Sequence, residues 1–251
     1  MSKHIFKFNP LLTWVLAVGL ACTTGAHAQT SPAQTKVTAP ASDTLVDLDA
    51  RILVESKTIG ADGVTRTSQY EETFMRRGQQ VWMQRVRPKS VAEHDHGKEK
   101  KGHKHLDPFA GGRLIGLVDG KAQLDLVLAD EKQVVNIPSV EFGNMGFDGS
   151  WEKAYYLIAL QEFKRAKLLK ATQRKSEFPD AVWHERKGDV NESILWDSKR
   201  MVPRVIESSN AQGTQWRRIT VTLQNSTSRV VPGSEAVVKN YDQMRYSDFL
   251  D

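Results

Sequence analysis

The feature that most constrains the fold is a two-residue alternation of apolar and polar side chains that recurs along most of the chain. In the segment AQLDLVL at 122–128, the leucines fall on one face and Gln123 and Asp125 on the other. Such alternation is typical of a strand with one buried and one solvated face. Turn signals such as Asp119-Gly120 separate these segments roughly every ten residues. The pattern indicates an antiparallel meander.

One stretch departs from this period and predicts a helix. The segment WEKAYYLIALQEFKRAKLLK at 151–170 places Tyr155 and Ile158 on a common stripe, although it could break near Gln161 into a separate strand. We therefore expect a mainly β (α+β) fold. Its core would be a single strongly curved antiparallel sheet of about nine to eleven strands, because a sheet of that size must curl. One or two helices would cover it.

The N-terminus predicts export. Residues 1–28 contain Lys3 and Lys7, an apolar run at 11–21, and small residues at the end of the segment, as in a signal peptide cleaved near Ala28. The apolar run is shorter than the ~20 residues that a spanning helix needs. The sequence thus predicts a periplasmic protein that is not integral to the membrane.

The remaining organisation follows from composition. Residues 29–43 are rich in Pro, Ala, Ser and Thr, which predicts a flexible linker. Residues 44–251 would form one half-barrel domain. The single cysteine, Cys22, lies in the predicted leader; a lipidated Cys22 is the alternative, but Gly19 occupies a position where a lipobox has Leu or Val.

Net charge gives little support to a nucleic-acid partner. Removal of residues 1–28 takes away two lysines and no acidic residue, which lowers the formal net charge from +5 to +3. Basic and acidic side chains alternate along the rest of the chain rather than forming a basic patch. We therefore expect no nucleic-acid partner.

A histidine-rich insertion at 89–112 is the most distinctive local feature. Four of the seven histidines lie in HDHGKEKKGHKH as two His-x-His pairs: His94, His96, His103 and His105. Imidazole ligands of this kind could bind copper or zinc. Four lysines lie between and beside the pairs and oppose a divalent cation, so a solvated loop is the alternative. No other cofactor is expected.

Aromatic residues are the candidates for an apolar binding surface. Those that fall in predicted strands are Tyr70, Phe74, Trp82, Trp183, Trp196 and Trp216. Their ordinary place is the core. The alternative is that several line the concave side of the sheet as a pocket for an acyl chain or a similar ligand.

No catalytic constellation is recognisable. The chain lacks a Gly-x-Ser-x-Gly elbow, a His-Glu-x-x-His zinc helix and a phosphate-binding loop, and its only cysteine lies in the predicted leader. His184 lies in a predicted strand without an evident catalytic partner. We therefore expect a protein that is not an enzyme.

Several segments together resemble the periplasmic lipoprotein-carrier superfamily, the LolA-like half-barrel of outer-membrane lipoprotein sorting. They include the strands at 66–77 and 80–88 and the closing meander, where the best local match is Val-Pro-Arg-Val-Ile-Glu at 202–207 followed by Gly213. The resemblance covers roughly 48–223. It implies a half-barrel with a helical lid, an apolar concave face, and no catalytic residue.

These expectations lead to one favoured function and two alternatives. The favoured one is a periplasmic carrier or binding protein that holds an apolar ligand, either a lipid or an acylated polypeptide, against its concave sheet. The first alternative is metal binding or delivery by the four loop histidines. The second is an envelope-stress sensor with a protein partner in the envelope.

Overall fold

The computed structural model describes residues 45–87, 111–168, 174–225 and 230–250. The predicted signal peptide at 1–28, the predicted linker at 29–43 and the four loop histidines lie outside these ranges. Strand β4 begins at Gly112, so the last residue assigned to the predicted insertion belongs to the sheet.

The described residues form a 12-stranded sheet, one strand more than the upper end of the predicted range. The strands are β1 (Leu48–Ile59), β2 (Thr65–Arg77), β3 (Gln80–Arg85), β4 (Gly112–Val118), β5 (Lys121–Leu128), β6 (Gln133–Ile137), β7 (Lys167–Leu168), β8 (Ala181–Arg186), β9 (Val190–Asp197), β10 (Val202–Asn210), β11 (Gln215–Leu223) and β12 (Asp242–Arg245).

Two antiparallel meanders make up this sheet. The first runs from β1 to β6 and the second from β7 to β11. The spatial order is β12-β6-β5-β4-β3-β2-β1-β11-β10-β9-β8-β7, so β1 of the first meander pairs with β11 of the second. Strand β12 adds to the edge of β6 in the parallel direction, and every other pairing is antiparallel. The two outer edges, β12 and β7, are not paired with each other, so the sheet stays open.

The predicted turn between β4 and β5 has the expected chemistry. Asp119 and Gly120 both adopt positive φ, at 50° and 75°. Positive φ at both central residues is the mark of a type I′ turn, whose twist matches that of the flanking strands. This local geometry fixes the register of Val118 opposite Lys121.

Short helices connect and flank the meanders. They are a 3-10 helix (Ser139–Met145), α1 (Trp151–Tyr156), α2 (Leu160–Phe163), α3 (Glu235–Val238) and α4 (Tyr246–Leu250). The prediction of one helical stretch over 151–170 is wrong. Leu157 ends α1 in the left-handed region with φ of 62°, α2 ends at Phe163, and Lys167 begins β7. The predicted break into a strand therefore exists but lies beyond Gln161.

The main core lies on one face of the sheet, which we call the inner face. Every second residue of β1 from Leu48 to Val54 is buried there, together with Phe74 of β2 and Leu124 of β5. The 3-10 helix, α1 and Ile158 cover this face. Their buried side chains are Phe142, Met145, Trp151, Tyr155, Tyr156 and Ile158.

Arg76 shows how strongly the sheet curls toward the inner face. It lies on β2, and its guanidinium hydrogen-bonds to carbonyl oxygens of Arg200 and Met201 in the turn before β10. Strand β10 is three strands away from β2, or about 14 Å in a flat sheet. One side chain can reach that turn only because the sheet is curved. The predicted half-barrel is confirmed.

The opposite, outer face carries two smaller cores. Trp82 packs with Val127 and Val134, and the C-terminal segment covers them with Val231 and Val238. Trp183 packs with Ala181, Leu195 and Val205, and with Phe178 from the segment before β8. The C-terminal segment thus both wraps the outer face and contributes edge strand β12.

Candidate functional site

A cleft opens between the α1–α2 segment and the inner face of the second meander. Its volume is about 290 Å³. The lining residues come from the helical segment (Lys153, Leu157, Ile158, Ala159, Glu162, Phe163) and from β9, β10 and β11 (Glu192, Ile194, Ile206, Ser208, Arg217, Ile219). The lining is therefore mixed: apolar side chains share it with two acidic residues, two basic residues and one serine.

Strand register builds the apolar floor of the cleft. Ile194 is opposite Ile206, Ile206 is opposite Ile219, and Ile219 is opposite Val54. We call these four residues of adjacent strands the apolar row. It is flanked by His184 on β8 and Tyr70 on β2, which are the partners of its two outer members.

A second row lies two residues further along each strand, on the same face because strand side chains alternate. Glu192 is opposite Ser208, Ser208 is opposite Arg217, and Arg217 is opposite Ser56. We call these four residues the polar row. Arg186 on β8 and Ser68 on β2 flank it. The inner face therefore changes from aliphatic to polar across one step of the strand period.

Phe163 attaches α2 to the sheet and forms part of the roof of the cleft. Its ring centroid lies 4.5 Å from that of His184 and 4.7 Å from that of Trp196. Offset aromatic contacts at such distances contribute beyond simple area burial. Burial lowers the pKa of the His184 imidazole below its ordinary value of 6.5. The neutral imidazole is therefore the form that suits this contact.

Glu162, Glu192 and Lys153, three of the charged side chains that line the cleft, take part in ion pairs. Arg186 lies 3.2 Å from Glu192 and 3.8 Å from Glu162, and so links β8 and β9 to α2. Lys153 of α1 lies 2.7 Å from Asp148. The α1–α2 segment is thus tied to the sheet by Phe163 and by the ion pair of Arg186 with Glu162.

Arg76 holds the other end of the α1 segment. Its side chain is fully buried, and it donates hydrogen bonds to the carbonyl oxygens of Val46 at 2.7 Å, Tyr155 at 2.8 Å and Met201 at 3.0 Å, and to that of Arg200. Its Cζ lies 4.6 Å from the ring centroid of Tyr155. Burial lowers the pKa of this guanidinium. Arg76 thus connects the first meander, α1 and the second meander through hydrogen bonds of one side chain.

The six predicted aromatic ligand residues do not share one surface. Phe74 and Trp196 are buried in the inner-face core, and Tyr70 packs at its edge. The other three, Trp82, Trp183 and Trp216, belong to the outer face, because strand alternation turns each of them away from the inner-face core. Three of the six candidates thus face the inner side of the sheet and three face the outer side, and ligand contact by any of the six stays a prediction.

The outer-face tryptophans have structural roles that the structure makes explicit. Trp82 lies so close to Gly112 and Gly233 that a Cβ at these positions would come within 1.9 Å and 2.6 Å of its ring. Trp183 stacks under the guanidinium of Arg174, whose Cζ lies 3.4 Å from the ring centroid. Trp216 is 38% exposed.

The predicted metal ligands His94, His96, His103 and His105 lie outside the described residues. Among the residues that the structure describes, no group of three or more His, Cys, Asp or Glu side chains is arranged to hold a metal ion. Metal binding by the loop stays a prediction.

The isoleucines of the apolar row were not identified from the sequence. Ile219 belongs to an alternating segment of β11. Ile194 and Ile206 each stand beside a second buried apolar residue, Leu195 and Val205, because both faces of β9 and β10 are covered there, so alternation does not mark their face. Their pairing across three strands requires the register, which alternation within a strand does not specify. The segments themselves were identified correctly.

Comparisons with known proteins add distant structural similarities. No protein-family model matches the chain, and no curated protein matches it. Among solved structures, the chain is similar to an uncharacterized conserved protein from Thermus thermophilus, at 10% identity and a TM-score of 0.39, over 81% of this chain and 94% of that one.

Two further similarities concern named groups of proteins. One is a LolA superfamily protein from Nitrosomonas europaea, at 9% identity and a TM-score of 0.32, over 73% of this chain and 88% of that one. The other is the MucA/MucB complex of Pseudomonas aeruginosa, at 11% identity and a TM-score of 0.35, over 73% of this chain and 53% of that chain. The superfamily that the sequence resembles is thus found among the similar structures.

At these TM-scores the similarities say nothing about ligands, so the function is argued from the cleft itself. None of the described helices is long and apolar enough to cross a membrane.

Proposed function

We propose that this chain is a periplasmic, non-enzymatic binding or carrier protein that holds an apolar ligand in the cleft beneath α1 and α2. The observation that carries the proposal is that Ile194, Ile206 and Ile219 of the apolar row line the cleft together with Leu157, Ile158 and Phe163 of the helical segment. An aliphatic floor and an apolar roof form a place where an alkyl chain leaves water without losing a hydrogen bond.

The energetics favour a chain-like ligand. Each methylene group that leaves water contributes about 0.8 kcal/mol, so a short alkyl chain suffices for useful affinity without a covalent step. The cleft, at about 290 Å³, is close to the lower limit of the roughly 300–1,000 Å³ that small-molecule sites span. This volume favours one alkyl chain of a lipid or of an acylated polypeptide.

Native mass spectrometry of protein purified from the periplasm tests the proposal. We expect a co-purifying mass that corresponds to a lipid or an acyl chain. Ile219→Trp fills the cleft and is expected to reduce this occupancy strongly. Leu53→Trp is the matched control. Leu53 is also half-buried, but it lies on the outer face of β1, next to Val54, which is the residue opposite Ile219.

Two results would contradict the proposal. One is a wild-type protein that carries no ligand mass when it is isolated without detergent. The other is equal ligand occupancy in Ile219→Trp and Leu53→Trp, since a ligand that ignores the filled cleft binds elsewhere.

Metal binding by the histidine-rich insertion is an independent proposal that rests on the two His-x-His pairs. Calorimetric titration with copper and with zinc, on the wild type and on a variant with His94, His96, His103 and His105 replaced by Ala, tests it. Submicromolar affinity that is lost in the variant supports a metal-delivery role. Affinity no better than micromolar argues for a solvated loop.

The envelope-sensor alternative uses the same cleft for a partner polypeptide rather than for a free lipid. The aliphatic floor suits apolar side chains as well as an acyl chain. The same mass-spectrometric experiment separates the two, because a co-purifying peptide mass without a lipid supports the sensor.

A further inference from the structure

The polar row begins directly where the apolar row ends, and this boundary lies inside the cleft. Ile206 and Ser208 on β10, and Ile219 and Arg217 on β11, are successive inner-face residues of their strands. An alkyl chain that lies on the apolar row along the strand direction would place one of its ends beside Ser208 and Arg217. Whatever group terminates the chain must match these side chains.

Two of the four members of the polar row, Glu192 and Ser56, have side-chain partners of their own. The Arg186 guanidinium bonds to the Glu192 carboxylate at 3.2 Å. The hydroxyls of Ser56 and Ser68 bond to each other at 2.7 Å. Arg217 lies between these two pairs, is exposed, and has no carboxylate within ion-pair distance among the described residues.

Other charged groups around the cleft already have partners. On the helical segment, Lys153 is paired with Asp148 at 2.7 Å, and the Glu152 carboxylate accepts a hydrogen bond from the backbone N–H of Leu160 at 3.2 Å. Glu162 faces Arg186. Of the cations that line the cleft, Arg217 is thus the one whose charge is left for a ligand, within the part of the chain that the structure describes.

A small recess adjoins this position. Its volume is about 40 Å³, it shares Ser208 and Arg217 with the cleft, and it is also lined by Ser56, Thr58, Val190, Ser209, Asn210, Gln215 and Trp216. Asn210 is already engaged, because it donates to Thr214 at 2.7 Å and accepts from the Gln215 backbone at 3.0 Å. The surface of the recess is mostly apolar, and Arg217 is the only cationic residue among those that line it.

We propose that Arg217, with the hydroxyl of Ser208 beside it, forms a subsite for the carboxylate of an aliphatic acid whose chain lies on the apolar row. This inference rests on the proposed function, since it specifies the ligand class of the same cleft. Guanidinium and carboxylate match in geometry and form charge-assisted hydrogen bonds. One cation balances one negative charge.

The charge count favours a carboxylate over a phosphate monoester. A phosphate monoester carries about −1.5 to −2 at neutral pH. The excess negative charge would face Glu192, which is the next-but-one member of the polar row from Arg217. A monoanion of small volume avoids this repulsion and fits the recess.

Calorimetric titration of the full chain at pH 8 with dodecanoate, methyl dodecanoate and dodecyl phosphate tests the subsite. We expect wild type to bind dodecanoate about tenfold more tightly than the methyl ester, which is the scale of one partly exposed charge-assisted bond. Arg217→Gln should lose this preference and keep its affinity for the ester. Arg217→Lys should keep part of the preference.

Lys57→Gln is the matched control. Lys57 is an exposed cation on β1, one residue from Ser56, but its side chain points to the outer face opposite Trp216. Its removal changes the net charge by the same amount as Arg217→Gln and should leave the preference for dodecanoate unchanged. Circular dichroism confirms that each variant is folded.

The outcomes separate this inference from the function on which it rests. If the ester binds but dodecanoate binds no more tightly, or if Arg217→Gln keeps the preference, the subsite is wrong and the apolar cleft stands. A preference for dodecyl phosphate overturns the choice of carboxylate. If neither the ester nor dodecanoate binds, the proposed function fails and the subsite fails with it.

Discussion

At the scale of single residues, Arg76 connects parts of the chain that are far apart in sequence. Its guanidinium bonds to backbone carbonyl oxygens at Val46, Tyr155, Arg200 and Met201. A carbonyl that loses its donor in a buried place has no water to replace it. The network therefore depends on five donors in a fixed planar arrangement, which only arginine provides.

Replacement of Arg76 by Met tests this network. Met has a similar length but no donor, so one buried and three part-buried carbonyl groups would lose their donor, and we expect the free energy of unfolding to fall by about 2–4 kcal/mol. Urea unfolding measures it. Arg87→Met, at an exposed position beyond β3, should change it by less than about 0.5 kcal/mol. Equal effects of the two substitutions would contradict a role for the network.

His184 makes stability depend on pH. Burial lowers its pKa below 6.5, so the unfolded chain binds a proton at a higher pH than the folded chain. The stability contributed by the neutral imidazole is complete above the unfolded pKa and decreases as the pH falls below it. In His184→Phe this contribution is absent. The free energy of unfolding of the variant, relative to that of the wild type, should therefore increase as the pH falls from about 7.5 to about 5.5.

Urea unfolding of both proteins at the two pH values measures this difference. A constant difference between variant and wild type would show that the His184 pKa is the same in the folded and unfolded states.

Sequence reasoning identified Phe74 but not Arg76, although the two are successive inner-face residues of one strand. The segment TFMRR ends in two arginines before Gly78, which is the usual composition of a solvated turn. Arg77 follows that expectation in part, because it pairs with Asp49 at 2.7 Å. Arg76 differs because the curl of the sheet brings distant carbonyl groups to it, and a local pattern contains no information on curl.

At the scale of elements, the α1–α2 segment covers the cleft with very little helix. The helix α2 has four residues, and isolated helices of that length are not stable. Its position therefore depends on tertiary contacts, chiefly those of the Phe163 ring with His184 and Trp196.

Phe163→Ala tests this dependence. The loss of a half-buried ring should lower the free energy of unfolding by about 1–3 kcal/mol. Hydrogen exchange should accelerate at the amides of Phe163 and Lys164, which donate to Ala159 and Leu160. Amides of the central strands should be unaffected. Val140→Ala, at a side chain that is 85% exposed in the 3-10 helix, should change neither quantity.

If exchange at these two amides stays unchanged in Phe163→Ala, contacts other than the ring fix α2.

The element boundaries show where sequence patterns stop. Alternation and turn residues predict the segment AQLDLVL as a strand, and β5 covers it and begins one residue earlier, at Lys121. The helix prediction at 151–170 was too long. Leu157 is an unremarkable residue for a helix, and its left-handed conformation follows from the way Tyr156 and Ile158 both pack into the core.

At the scale of the whole molecule, the C-terminal segment protects the outer face. Val231 and Val238 bury Trp82, and β12 then covers the edge of β6. The segment is polar with a few valines, a composition that suits either an added strand or a stretch that wraps the sheet. The structure shows that it does both.

Val238→Asp tests the outer core. A carboxylate in this apolar place has no partner charge, so we expect a loss of about 2–4 kcal/mol in unfolding free energy and a red shift of tryptophan emission. Val237→Asp is the matched control on the same helix, because Val237 is 41% exposed. The affinity for an alkyl chain should be unchanged in both folded variants, since the cleft lies on the other face.

A similar destabilisation by both substitutions would mean that α3 does not present one buried and one exposed side to the sheet.

The boundary between the apolar row and the polar row would also limit the length of the alkyl tail that the sheet accommodates. Successive inner-face positions of a strand are about 7 Å apart, so the depth available to an alkyl tail is set by how many such positions stay aliphatic. Affinity would therefore rise with the length of the tail along a homologous series until the tail fills that depth. Longer tails would bind no more tightly. Titration from octanoate to hexadecanoate should show this plateau. In Ser208→Val, where the boundary on β10 moves outward by one position, the plateau should begin at a longer tail. An unbroken rise in affinity through hexadecanoate in both proteins would mean that the tail is not confined by the sheet.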